Sequence, residues 1–290
     1  MLGLDPDPAA LWPGSARESA RGSPAELAGA AVVDHCRRLI DATEQACVAV
    51  KLQLACFERL GTPGWSALET VAAHAKVRGL LVIADGKRGD IALSAAAYAE
   101  ALFAGTGTPF GTAGGLGADL VTVNPLMGKD AIEPFITAAR EAGAGVLVLV
   151  RTSNPGAADV EDLKRQSGAA VWERVAAIVD ELGRGAVGDG GISDVGAVMG
   201  ATAPSHLARA RELMASATFL LPGVGAQGGR VEDLAPAFAP GRAGGLVSAS
   251  RSIAAAHTAS GGKPEEAARA EVERLREAAW ALSDRVWAGS

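Results

Sequence analysis

Short apolar runs punctuate the chain at 2–4, 47–52, 80–84, 120–123, 146–150, 195–199, 218–221 and 245–249. Their length and β-branched content suit strands, and their lack of polar alternation suits strands buried on both faces. Amphipathic or alanine-rich stretches at 24–44, 65–78, 131–142, 170–182 and 205–215 lie between them and predict helices. The run at 94–99 suggests one more. Strand–helix alternation predicts a parallel sheet of class α/β. Eight such units predict a (β/α)8 TIM barrel. An open doubly wound sheet is the competing architecture, but no GxGxxG follows an early strand as a dinucleotide site requires. At 264–287, Ala268, Val272, Leu275, Ala279, Leu282 and Val286 recur at helical spacing, predicting a helix that covers the barrel's outer layer. The glycine-rich stretch 183–194 lacks periodicity and reads as a loop. No linker divides the chain, so residues 1–290 are expected to form one domain.

Composition narrows the class. The 290 residues are 49% hydrophobic but only 4% aromatic, so the core is expected to be aliphatic. Trp12, Trp65, Trp172, Trp280 and Trp287 show no stacking pattern and are read as packing residues. A net charge of −6 gives no electrostatic reason for a nucleic-acid or anionic-membrane partner. Cys36, Cys47 and Cys56 form no CxxC pair and read as reduced thiols of a cytoplasmic protein. The four histidines lack metal-ligand spacing, so no metal site is expected. Asp5 and Asp7 interrupt the start before an apolar signal segment could form. No run approaches the ~20 residues of a membrane span.

Chemistry gathers where the predicted strands end, which is where barrels of this kind build active sites. The third run leads into Asp85-Gly86-Lys87-Arg88-Gly89-Asp90-Ile91. Side chains at i and i+2 of a strand point the same way, so Asp85 and Lys87 are expected to face one site. Asp90 follows at the start of the next helix. Two carboxylates around an ammonium keep it charged, which suits a reaction that develops negative charge on carbon and then needs a proton. A solvated loop with surface ion pairs is the plain alternative. Arg88 reads as a surface or inter-subunit ion-pair residue. The other ends carry Asp5, Lys51, Asn124-Pro125, the segment from Arg151 to Gly156, Gly200 to Pro204, Pro222 to Gly229, and Ser250-Arg251-Ser252-Ile253. A glycine-rich turn after the seventh strand and an arginine after the eighth match a barrel phosphate site. Glycines admit an anion to backbone N–H groups, and Arg251 can grip phosphate bidentately. Tight turns alone would also explain the glycines.

These motifs together resemble the orotidine 5′-phosphate decarboxylase family, in its longer bacterial branch, from Asp5 to about Ile253. Asp85-x-Lys87-x-x-Asp90-Ile91, Thr152-Ser153-Asn154-Pro155-Gly156, Val198-Met199-Gly200-Ala201-Thr202 and Pro222-Gly223-Val224-Gly225-Ala226-Gln227-Gly228-Gly229 carry the resemblance. It implies a cofactor-independent decarboxylation of orotidine 5′-phosphate to uridine 5′-phosphate in pyrimidine biosynthesis. Lys87 resembles the lysine that protonates carbon 6, and Asp85 the aspartate facing the substrate carboxylate. Asp90 resembles the aspartate sent across a homodimer, with Ile91 and Ser94 beside it; the family usually has threonine in place of Ser94. Lys51 completes the charged network, and Asp5 resembles the ribose-binding aspartate. Ser153 resembles the residue that reads the pyrimidine. Gln227 and Arg251 resemble the phosphate ligands, with Pro222 in the same loop.

The chain departs from the family pattern at Leu52, where proline is usual, at Gly86, where alanine is more common, and near Leu126, where an aromatic is usual. The stretch ahead of Asp5 is also shorter. Two other readings stay open on the residues. One is a hexulose-phosphate synthase-like barrel, which shares the Asp-x-Lys-x-x-Asp theme and uses magnesium. The other is a non-catalytic nucleotide-binding barrel.

Overall fold

A computed structural model describes residues 1–15, 21–201, 204–225 and 228–288, the last three of these without their side chains. Its strands are β1 (Leu2–Leu4), β2 (Ala49–Gln53), β3 (Leu81–Arg88), β4 (Gly105–Thr108), β5 (Gly111–Gly114), β6 (Leu120–Val123), β7 (Gly145–Arg151), β8 (Val195–Met199), β9 (Phe219–Leu221) and β10 (Gly245–Val247). Eight of them form one sheet in the order β1-β2-β3-β6-β7-β8-β9-β10. Every pairing in that sheet is parallel. Leu2 bridges Ala249, Gly3 N–H donates to Ala249 O at 2.8 Å, and the Met1 ammonium donates to Val247 O at 3.1 Å. These contacts curl the sheet shut, giving the expected TIM barrel. Gly3 eases the close approach there: a Cβ would sit 1.9 Å from Ser250 Oγ, so that hydroxyl would have to turn away.

All eight barrel strands fall on the apolar runs, because a parallel strand covered on both faces needs apolar residues throughout. Alternate residues then divide between two compartments. Val82 and Ala84 join the large cluster under the helices. Ala49, Ile83, Leu147, Val198 and Leu220 fill the barrel's interior. Two residues further along the same interior rows stand Lys51 and Asp85, so the strand period places charge directly above an apolar plug.

The helices Pro24–Thr43, Thr62–Val77, Ala92–Leu102, Glu133–Glu141, Val171–Gly183 and Pro204–Leu213 follow the amphipathic stretches within a few residues. Ser23 caps the first, exchanging hydrogen bonds with Glu26 in a capping box that contributes about 1 kcal/mol. Pro264–Ala288 packs on the first helix and on the 3-10 helix Val231–Phe238, burying Ala268, Val272, Leu275 and Leu282. Trp12 and Trp172 are buried, as packing residues should be, whereas Trp65 and Trp280 are exposed; the Trp287 side chain lies outside the described residues. Trp12 donates its indole N–H to Ala254 O at 2.7 Å, and its backbone N–H to His35 Nδ1 at 3.1 Å.

Two features have no counterpart in the sequence reading. The antiparallel hairpin β4–β5 is almost wholly exposed, with Phe110 at its turn. Arg211 is buried, with no carboxylate partner among the described residues. Its guanidinium donates to the carbonyls of Met214, Ala215, Ala217, Pro236, Ala237 and Gly244. It also lies 3.8 Å from the Phe219 ring centroid. This clamp joins the lead-ins to β9 and β10, the two strands whose far ends carry the glycine-rich turn and Arg251.

Candidate active site

A cavity of about 530 Å³ opens at the C-terminal ends of the barrel strands. Leu149 and Val198, from the apolar plug and its margin, form part of its lining. Asp5, Lys51, Asp85, Lys87, Ser153, Pro222 and Arg251 line it as well, so seven residues singled out in the sequence meet in one place. Asp90, Ile91 and Ser94 do not line it. Asp90 instead accepts the Ile91 N–H at 2.8 Å, ahead of the helix Ala92–Leu102, and Ile91 and Ser94 are exposed. Gln227 lies outside the described residues.

The charges form a chain. Asp85 receives Lys51 Nζ on Oδ2 at 2.8 Å and Lys87 Nζ on Oδ1 at 2.6 Å. Lys51 also lies 3.5 Å from Asp5 Oδ1 and donates to Gln53 Oε1 at 3.1 Å. The Lys51 and Asp85 side chains are each 5% exposed, against 35% for Lys87. Lys87 is therefore the more accessible of the two ammonium groups that line the cavity. Burial works to raise the Asp85 pKa, yet Lys51 and Lys87 bring it down to about 2. Burial works to lower that of Lys51, but Asp85 and Asp5 outweigh it and hold it above its ordinary value. Asp85 and Lys51 thus keep their charges across the neutral range.

Lys87 arrives by a route that simple alternation does not describe. The β3–β6 register shifts between Ala84 and Arg88, and Lys87 has φ 44°, in the left-handed region. Such a conformation in a non-glycine residue stores strain of about 1 kcal/mol or more and concentrates at functional sites. The bulge turns Lys87 back over Asp85. Gly86 gives the turn room, since a Cβ there would meet Leu54 Cδ1 at 2.7 Å. Arg88, just beyond, pairs with Glu58 and lies over the Tyr98 ring, so its ion pair is made within the chain. Leu52, at the proline position of the family pattern, continues the β2 ladder opposite Leu4 and Ala84, and Lys51 still reaches Asp85.

The opposite wall comes from the last three strands. Gly223, Gly225 and Gly228 all have φ between 79° and 98°, and Gly225 N–H donates to Gly229 O. The result is a tight loop whose conformation side chains would resist. The Arg251 guanidinium has no ion pair or hydrogen bond among the described residues, which leaves a free cation on the cavity wall. Ser153 and Asn154 are presented by a loop that folds back on its own start. Glu161 accepts from Thr152 N and Oγ1, and Asp162 takes Arg151 in two hydrogen bonds.

Gln53, Thr122 and Ser248 belong to the site or its immediate support and were not singled out in the sequence. Gln53 shares a strand row with Lys51, and Thr122 shares one with Leu120. That row position was the available signal.

Residues 2–270 match the model of the family described as Orotidine 5'-phosphate decarboxylase / HUMPS family. An orotidine 5′-phosphate decarboxylase of Deinococcus radiodurans is 45% identical over 238 residues, covering 82% of each chain. One from Rhodopirellula baltica is 40% identical over 256 residues, 88% of this chain and 83% of the relative. The solved OMP decarboxylase of Leishmania donovani superposes with a TM-score of 0.70 at 31% identity, covering 96% of this chain and 93% of that one. With its motifs gathered at the mouth of one barrel, this chain belongs to the orotidine 5′-phosphate decarboxylase / HUMPS family.

Proposed function

We propose that this chain converts orotidine 5′-phosphate to uridine 5′-phosphate and carbon dioxide without a cofactor, as a step of pyrimidine nucleotide synthesis. The observation that carries the reading is the Lys51–Asp85–Lys87 array on one side of a cavity, with Arg251, unpaired among the described residues, on the other. Breaking the bond between carbon 6 and its carboxylate leaves an electron pair in the ring plane, where ring resonance cannot spread it. Fixed charges in a site closed to water are the available means of stabilisation. Lys87 Nζ stabilises that pair as it forms, then gives it a proton and is reprotonated from water. Asp85, held ionised, faces the departing carboxylate and fixes Lys87. Arg251 and Gln227 hold the phosphate, with Pro222 lining the substrate site in the same loop, and this remote binding energy drives the chemical step. Asp5 and Lys51 hold the ribose, and Ser153 reads the pyrimidine.

The whole chain, 1–290, acts as one domain and pairs as a two-fold homodimer in the cytoplasm. Asp90, Ile91 and Ser94 then serve the partner's cavity, which accords with their position outside this one. Exposed Ile91, Leu93, Tyr98 and Leu126 supply apolar surface for such pairing. Purified protein mixed with orotidine 5′-phosphate should consume its ultraviolet absorbance, with equal rates in magnesium and in chelator. Absence of turnover in both would defeat the proposal. Magnesium-dependent turnover of a hexulose phosphate instead would favour the aldolase-like reading.

A further inference from the structure

Thr122 lies beneath the site, fully buried, on β6. Its hydroxyl makes two bonds, one to the backbone of Lys87 and one to the carboxylate that holds the Lys87 ammonium. Oγ1 accepts the backbone N–H of Lys87 at 2.9 Å, and it donates to Asp85 Oδ1 at 2.9 Å. Asp85 Oδ1 is also the oxygen that holds Lys87 Nζ at 2.6 Å. A hydroxyl has one proton to give and lone pairs to receive, and here both capacities are used.

The arrangement answers a problem made by the bulge. Where β3 and β6 lose register, the Lys87 N–H bonds to the Thr122 hydroxyl, and the residue sits at φ 44°. A buried N–H needs a partner, and a left-handed lysine persists only where its surroundings dictate it. The Thr122 hydroxyl meets the first need directly and, through it, serves the second. By aiming Asp85, the same oxygen also directs the ammonium at the tip of the Lys87 side chain.

We propose that Thr122 is a positioning residue for the reaction: its hydroxyl locks the backbone and, through Asp85, the ammonium of Lys87 into one geometry. It touches no substrate and acts through Asp85 and Lys87. Its loss therefore lowers the chemical rate and leaves nucleotide affinity intact, because Arg251 and the glycine loop stand on the other wall of the cavity.

The inference rests on the decarboxylase reading, and wild-type turnover of orotidine 5′-phosphate tests that reading first and separately. Thr122→Val then removes both bonds while keeping the side chain's shape. Its kcat should fall by about tenfold to a hundredfold, the scale of a small misplacement of reacting groups. KM and the affinity for uridine 5′-phosphate should stay within about threefold. Thr122→Ser, which keeps the hydroxyl, should restore most of kcat. If Thr122→Val fails to fold, Thr122→Ala against Thr122→Ser makes the comparison, since both lack the methyl and only one keeps the hydroxyl. An unchanged kcat, a loss that serine does not repair, or a rise in KM at constant kcat would each overturn the proposal.

Discussion

Lys87 Nζ stands 2.6 Å from Asp85 Oδ1, while the other oxygen of that carboxylate is 2.8 Å from Lys51 Nζ. One carboxylate thus fastens a buried lysine and an accessible one. On the proposed mechanism the more accessible one, Lys87, gives the proton to the bound molecule. Lys87→Ala should nearly abolish turnover while binding of uridine 5′-phosphate remains measurable, because the ammonium acts mainly in the transition state. Steady-state rates beside a direct binding measurement decide the matter; a near-normal kcat would remove Lys87 from the chemistry.

Arg251→Ala should act on the other half of the site. Loss of one set of charged hydrogen bonds costs roughly 1.5–3 kcal/mol, so KM and nucleotide Kd should rise about tenfold to a hundredfold. A fall in kcat is expected beside it, since phosphate binding supports the chemical step. If all three constants stay put, the phosphate is held elsewhere.

The placement of Asp90 outside its own chain's cavity gives a complementation test. Asp90→Asn and Lys87→Ala are each expected to be nearly inactive. After subunit exchange, a mixed dimer holds one cavity with both defects and one with neither. Activity should recover toward about a quarter of wild type, as random mixing into two-fold dimers requires. Demonstrated exchange without recovery would return Asp90 to its own chain or remove it from the reaction.

His35 links folding to acid. It is buried, its Nδ1 accepts the Trp12 N–H, and its ring packs edge-on against the Trp12 ring. Burial, reinforced by Arg38, pushes its pKa from 6.5 down to about 4. Between those values the unfolded chain binds a proton that the folded chain refuses. Stability from this group is therefore complete above about pH 6.5 and drains away as pH falls toward 4. The loss approaches about 3 kcal/mol. Urea unfolding at pH 7 and pH 4.5 should show it in the wild type and show less of it in His35→Gln. Equal pH slopes would count against His35.

Arg211→Leu should cost about 3 kcal/mol or more, because six carbonyls lose their donor while the replacement supplies none. Arg211→Lys should recover little of this, since a lysine cannot fork across them. Denaturant midpoints read both; a lysine variant as stable as the wild type would show that charge matters there and geometry does not.

What could be read in advance, and what could not, follows from how each feature writes itself into sequence. Residues such as Val82, Ile83 and Ala84 announce a strand because both faces of a barrel strand are covered. Asp85, Lys51 and Arg251 stand out because charge at the end of an apolar run has few structural reasons to be there. The hairpin at Gly105–Thr108 and Gly111–Gly114 escaped because exposed glycine and threonine look like any loop. The left-handed turn at Lys87 escaped because alternation assumes an unbroken ladder. Thr122 lay within Leu120-Val121-Thr122-Val123, where one hydroxyl reads as part of a β-branched strand. Arg211 lay in an amphipathic helix, where an arginine ordinarily meets water.

The seam between Met1 and Val247 joins residues 246 positions apart. It lies beneath the part of the cavity lined by Asp5 and Arg251. A growing chain therefore has no complete nucleotide site until its eighth barrel strand has emerged and docked. A nucleotide gripping both sides then acts as a fastener on the closed ring. It binds that form and no earlier one, and so deepens the stability of the finished barrel by mass action.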